Sequence, residues 1–245
     1  MKDKIQWQAM PSIQQVNNRQ CHLYRLRIQE GDSRVAECLQ VLDPQEKARA
    51  DRASNQVERL RLILARGMLR QLLAKYLNQT AKSIRFFYNY KGKPQVSAPI
   101  MFNLSHAHDT ILFAFAEEGA LVGVDVEYAH RSHNLLRIAN RYFSEEEYSY
   151  LVHLPPGEIE TCFYHIWTQK EAFVKAHGQG LSYGLPSFTV NSNPEDGAGL
   201  VCVDEHVKEA DEWSLKSFTP FDGMAAAVAI RKLGVVFEGF DFSAP

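Results

Sequence analysis

Glu171 and Lys175 stand one helical turn apart in the run Phe-Tyr-His-Ile-Trp-Thr-Gln-Lys-Glu-Ala-Phe-Val-Lys that spans 163 to 175. A carboxylate and an amine at this spacing are neighbours on a helix. At about 100° per residue Trp167, Glu171 and Lys175 share an arc of about 80°. Phe163, Ile166, Trp167 and Val174 form an apolar stripe beside them, so the acid and the amine project from the rim of a core-facing helix. Upstream, Gly123-Val124-Asp125-Val126-Glu127 puts two carboxylates on one side of a strand and two valines on the other. Two such acids repel one another unless protonated or bridged by a cation, and hard oxygen ligands suit Mg²⁺ or Mn²⁺. Together the segments suggest a divalent-metal phosphate site. Glu171 would be a third ligand or a general base, and Lys175 a point charge on a phosphate oxygen. Each feature also has a plainer reading: a strand end with two solvated acids, and a surface Glu-Lys pair of small energetic weight.

Other segments admit two readings as well. Ser144 followed by Glu147 is a capping box. Asn103-Leu104-Ser105-His106 offers hydroxyl and imidazole donors to a phosphate, or is an ordinary turn. Lys91-Gly92-Lys93-Pro94 is a turn whose lysines could meet an anion, or a plain hairpin. His106, His108 and His130 have no spacing that singles out a metal. Lys170, by helical angle, faces solvent or a partner. No Walker loop, Gly-x-Gly-x-x-Gly or Gly-x-Ser-x-Gly elbow occurs, which removes those nucleotide-binding and hydrolase classes.

The elements that must position these residues are legible in outline. Residues 20 to 30 alternate like a half-buried strand, and Leu42-Asp43-Pro44 caps a short helix through Arg52. Leu60, Ile63, Leu64, Met68, Leu72 and Leu73 give a long amphipathic helix over Val57 to Leu77. Strands are expected at Ile84 to Tyr88, Ile111 to Ala116 and Leu121 to Glu127. The order then recurs: a short helix from Ser144, a long one over Glu160 to His177, and two strands. Met101 to His106 and Leu215 to Pro220 echo each other weakly, each before a hydrophobic strand. The expected fold is α+β, a pseudo-twofold pair of halves, 1–118 and 119–245, with Asp125 and Glu127 at the junction. A chain of 245 residues, 45% hydrophobic and 23% charged, can bury a sizeable core. Its net charge of −2 gives no global attraction to nucleic acid or an anionic membrane, so any polyanion site must be local. Cys21, Cys38, Cys162 and Cys202 are scattered, indicating free thiols rather than a zinc site or disulfide framework. With no signal-like or membrane-spanning run, the expectation is a cytoplasmic protein.

Read in order, Gly-Lys-Pro (92–94), Asn-Leu-Ser-His (103–106), Gly-Val-Asp-Val-Glu (123–127), Phe-Ser-Glu-Glu-Glu (143–147) and Trp-Thr-Gln-Lys-Glu-Ala-Phe-Val-Lys (167–175) resemble the 4′-phosphopantetheinyl transferases of the larger single-chain type. The resemblance covers residues 40 to 190. It implies transfer of phosphopantetheine from coenzyme A to a serine of an apo acyl carrier protein or a carrier domain of a peptide, polyketide or fatty-acid synthase, releasing 3′,5′-adenosine diphosphate. It also implies a monomer. By the resemblance, Asp125, Glu127 and Glu171 hold Mg²⁺, and Lys175 contacts phosphate. Ser105 and His106 meet the phosphates on the adenosine side, and Lys93 with Pro94 the nucleotide. Lys47 and Arg61 match further basic coenzyme A contacts, and Glu147 a family acid near the metal cleft. Arg137 and Arg141 are candidates to receive an acidic carrier. Competing readings are a non-catalytic coenzyme A or carrier-binding module and a Mg²⁺-dependent phosphohydrolase. Which carriers are served, and Mg²⁺ against Mn²⁺, stay open.

Overall fold

The computed structural model describes residues 5–9, 15–130, 134–203 and 207–242. A short strand β1 (Trp7–Ala9) precedes β2 (Gln20–Arg27) and three helices: α1 (Arg34–Val41), α2 (Pro44–Asp51) and α3 (Gln56–Leu77). A two-residue hairpin follows, β3 (Phe87–Tyr88) and β4 (Pro94–Gln95), then β5 (Ile100–Ala107) and β6 (Thr110–Glu117). The sequence of shapes then recurs. β7 (Val122–Tyr128) leads into α4 (Leu135–Tyr142), α5 (Glu145–Val152) and α6 (Pro156–His177), and then a small hairpin of β8 (Phe188–Val190) and β9 (Leu200–Val203). After α7 (Val207–Ala210) come β10 (Ser214–Phe218), β11 (Met224–Ile230) and a last strand β12 (Val236–Asp241).

The local causes are readable. Asp43 and Ser144 each close a capping box at the start of α2 and α5, accepting from the N3 amide while the N3 glutamate accepts in return. α3 ends on Asn78 and α6 on Gly178, both left-handed, which stops each helix. The chain folds into a five-stranded sheet of order β1-β12-β2-β6-β5 and a three-stranded sheet of order β10-β11-β7. In both, the strand before the helices pairs antiparallel with the second strand of the hairpin that follows them. β12 lies parallel to β2, so the end of the chain returns to the first sheet.

Three cores result. α3 packs on one face of the first sheet through Ile63, Leu69, Leu73, Phe102 and Phe113. Residues of α6, Ala172, Phe173 and Ala176, pack with Ala227 and Ala229 of the second sheet. The inner faces share Leu23, Leu112, Val124, Val126 and Val228. Val124 and Val126 thus face the shared core, leaving Gly123, Asp125 and Glu127 on the side of α6. Among the described residues no helix is long and apolar enough to cross a membrane.

Three expectations need correction. Residues 103–106 belong to strand β5 rather than to a turn. Only Phe87 and Tyr88 of the expected strand at 84–88 are paired. Lys170 is not solvated: its side chain is 0% exposed.

Candidate functional site

β5, β7 and α6 converge at Asp125. Glycine at 123 permits this, because a Cβ there would lie 2.1 Å from the carbonyl oxygen of Ala172 and 2.4 Å from the amide nitrogen of Ala176. α6 therefore rides close on β7, two residues from Asp125. The Asp125 side chain is buried; its Oδ1 accepts from Lys175 Nζ at 2.6 Å and from Ser105 Oγ at 3.0 Å. Lys175 Nζ also donates to Ser105 Oγ at 2.8 Å. Asp125 Oδ2 is buried with no hydrogen-bond partner. A buried carboxylate oxygen left this way is costly unless a cation or donor completes it.

Glu171 lies one turn before Lys175. Burial, and then the negative charge of Asp125, push its carboxyl from 4.5 up to about 7; Glu127 adds to the rise and Lys175 opposes it. Glu171 therefore senses both of the other acids. Glu127 Oε1 accepts from Trp167 Nε1 at 3.3 Å. Among the described residues no three His, Cys, Asp or Glu side chains stand in ready-made coordination geometry. As the side chains lie, Lys175 engages Asp125 and Trp167 engages Glu127. The donor set nevertheless fits a hard divalent cation: all oxygen, mutually repelling, and with one buried oxygen unpartnered.

A basic group borders the acids. The His106 side chain reaches solvent from β5. The protein packed around the ring lowers its pKa first, and the positive charges of Arg61, Lys175 and Arg49 lower it further. Arg61, Lys175 and Arg49 therefore lie near enough to His106 for their charges to act on it. Arg61 is also ion-paired with Glu58. Lys47 is exposed on α2. Arg49, two residues along the same helix, acts on His106, and the sequence reading missed it; its only signal was its spacing from the α2 cap.

Two predicted site residues do other work. The Lys93 ammonium donates to the carbonyl oxygens of Lys175 at 2.7 Å, Ala176 at 3.0 Å and Val122 at 3.1 Å, and burial lowers its pKa to about 8. It ties the end of α6 to the start of β7. Pro94, beside it in β4, lines a shallow cavity of about 300 Å³ with Phe87 and Phe102. Glu147 is 0% exposed, and both carboxylate oxygens are engaged by Lys170 Nζ at 2.8 and 2.7 Å. The amides of Ser144 and Val190 donate to it as well, each at 2.8 Å. The carboxylate is thus enclosed by protein donors on both oxygens. Arg137 and Arg141 are exposed on α4, where Leu135, Leu136 and Ile138 pack inward.

Residues 121–229 match the family model described as the 4′-phosphopantetheinyl transferase superfamily. Residues 30–118 match one described as 4′-phosphopantetheinyl transferase, N-terminal. Among curated proteins the chain is 30% identical over 233 residues to 4′-phosphopantetheinyl transferase HetI of a Nostoc species, covering 93% of this chain and 94% of that one. It is 34% identical to psf-1 of Bacillus pumilus, covering 66% of this chain and 68% of that one. It is 29% identical to Sfp of Bacillus subtilis, covering 67% and 73% respectively.

Proposed function

The chain belongs to the 4′-phosphopantetheinyl transferase superfamily and is an enzyme of that activity, and from this we propose that the site where β5, β7 and α6 converge is where phosphopantetheine passes from coenzyme A to a serine of an apo carrier protein. The observation that carries the assignment is the acid cluster at Asp125, with its buried unpartnered oxygen, set against the cations Lys175, Arg61 and Arg49. That juxtaposition suits a pyrophosphate bound together with a divalent cation.

We assign Asp125, Glu127 and Glu171 to hold Mg²⁺ or Mn²⁺. Bound there, the cation would draw charge from the coenzyme A pyrophosphate. Lys175, already at the acids, would follow the transferring phosphate. Ser105, His106, Arg61 and Arg49 would hold the remaining phosphates, with Lys47 nearer the rim and Pro94 beside the nucleotide. The carrier serine oxygen bonds to the β-phosphorus, the bond from that phosphorus to the departing 3′,5′-adenosine diphosphate breaks, and the serine proton goes to Glu171 directly or through one water. Glu147 and Lys93 act as positioning residues, holding the two ends of the α6 segment that bears Glu171 and Lys175.

We read residues 1–118 and 119–245 as two copies of one α+β unit, working as a monomer because one chain supplies β5, β7 and α6 alike. Arg137 and Arg141 on α4 would receive an acidic carrier surface. The assignment is tested with Glu171→Gln: transfer to an apo carrier is lost while the circular dichroism spectrum matches the parent. Near-normal turnover by this variant would remove Glu171 from the mechanism.

A further inference from the structure

β5 and β7 lie in different sheets, and β7 is an edge strand with β11 on its other side. An edge strand leaves every second amide without a ladder partner, and where that edge is buried each such donor needs an acceptor. Val124, 0% exposed, meets this need through a side chain: its amide donates to Asn103 Oδ1 on β5 at 2.9 Å. Asn103 is itself buried and stands two residues before Ser105, whose hydroxyl donates to Asp125. The two bonds are therefore successive along both strands: Asn103 to Val124, then Ser105 to Asp125.

The backbone of β7 is fixed to β5 one residue before Asp125, and Gly123 fixes the same stretch against α6. Resting on the functional reading above, we propose that Asn103 is a positioning residue for the acid cluster, setting the separation of β5 and β7 and with it the place of Asp125 relative to Ser105, Glu171 and Lys175. Asn103 touches none of the reacting groups. Its amide oxygen does what a ladder carbonyl does elsewhere, but through a side chain, so the strands are joined at this level without continuing as one sheet past Asp125.

The test compares Asn103→Leu, which keeps the branching at Cγ and removes the acceptor, with Asn103→Asp, which keeps the acceptor. Three quantities are read: Mn²⁺ affinity by electron paramagnetic resonance without coenzyme A, affinity for 3′,5′-adenosine diphosphate without metal, and hydrogen exchange at the Val124 amide. Asn103→Leu should weaken Mn²⁺ binding about tenfold or more, leave the nucleotide affinity unchanged and expose Val124 to exchange. Asn103→Asp should restore both Mn²⁺ binding and protection. Should the Leu variant not fold, Asn103→Ser, too short to reach Val124, is measured in its place with the same expectation. Parental Mn²⁺ affinity in a variant whose Val124 exchanges freely overturns the proposal, as does a uniform loss of stability with parental metal affinity. A parent protein that binds no Mn²⁺ overturns the functional reading itself and this proposal with it.

Discussion

Burial and the charge of Asp125 lift the Glu171 carboxyl to about 7, and the sign of the resulting pH dependence follows directly. A carboxyl whose pKa is higher in the folded than in the unfolded state favours the native state at low pH. The contribution is complete below the ordinary value of 4.5 and is lost as pH rises through about 7. In EDTA the protein should therefore melt at progressively lower temperature between pH 5 and 8, the loss amounting to about 3 kcal/mol at most. Thermal melts of the parent and of Glu171→Gln, which lacks the titration, check this; parallel curves would contradict it. Lys175 makes a second prediction at this scale. Its ammonium lies 2.6 Å from Asp125 Oδ1, where it opposes any cation approaching the same carboxylate. Lys175→Met should therefore bind Mn²⁺ more tightly than the parent in the absence of coenzyme A, although it transfers nothing. Calorimetric titration with Mn²⁺ measures it, and weaker binding would mean that Lys175 supports the metal rather than competing with it.

At the scale of elements the site depends on how closely α6 rides on β7. Gly123→Ala places a methyl into the Ala172 carbonyl and the Ala176 amide, so the helix must lift. We expect a loss of about 2 kcal/mol or more in urea unfolding, by overpacking. The folded fraction should retain little transfer activity, because Glu171 and Lys175 leave Asp125 when the helix lifts. Activity of the folded fraction equal to the parent would show that the spacing is not critical. This scale also explains what could be read beforehand. The long helices α3 and α6 were legible because their apolar residues repeat with helical period, and α2 and α5 because their caps are local chemistry. β5 was not. Ile100 and Phe102 of β5 join the α3 core, whereas Asn103 and Ser105 are polar residues buried toward β7, so the alternation of a half-buried strand is broken where the strand meets the site. The partners of Lys170 and Lys93 were not legible for a related reason. A lysine is normally solvated, and only tertiary structure revealed the carboxylate of Glu147 and the three carbonyls that receive their ammonium groups. β12 could not be assigned to the first sheet from sequence, since its pairing with β2 spans nearly the whole chain.

Across the whole molecule the two rounds of strand, three helices and hairpin match closely. α1, α2 and α3 contain 8, 8 and 22 residues, as do α4, α5 and α6. The capping-box glutamate of α2, Glu46, is bonded by Arg70 of α3, as Glu147 of α5 is by Lys170 of α6, and each cation stands at the same place along its helix. The rounds diverge at the site. Three residues before the end of β2 stands Tyr24, bonded to Tyr76 of α3 at 2.7 Å; three before the end of β7 stands Asp125, bonded to Lys175 of α6. One copy is closed with aromatic rings and the other carries the acids. That the acids act through a divalent cation is the central claim, and the most direct test is the intact mass of an apo carrier protein incubated with this enzyme, coenzyme A and Mg²⁺, with and without excess EDTA. A gain of one phosphopantetheine group is expected, disappearing with EDTA and returning when Mg²⁺ is restored. The same gain in the presence of EDTA, or none with Mg²⁺, would contradict it.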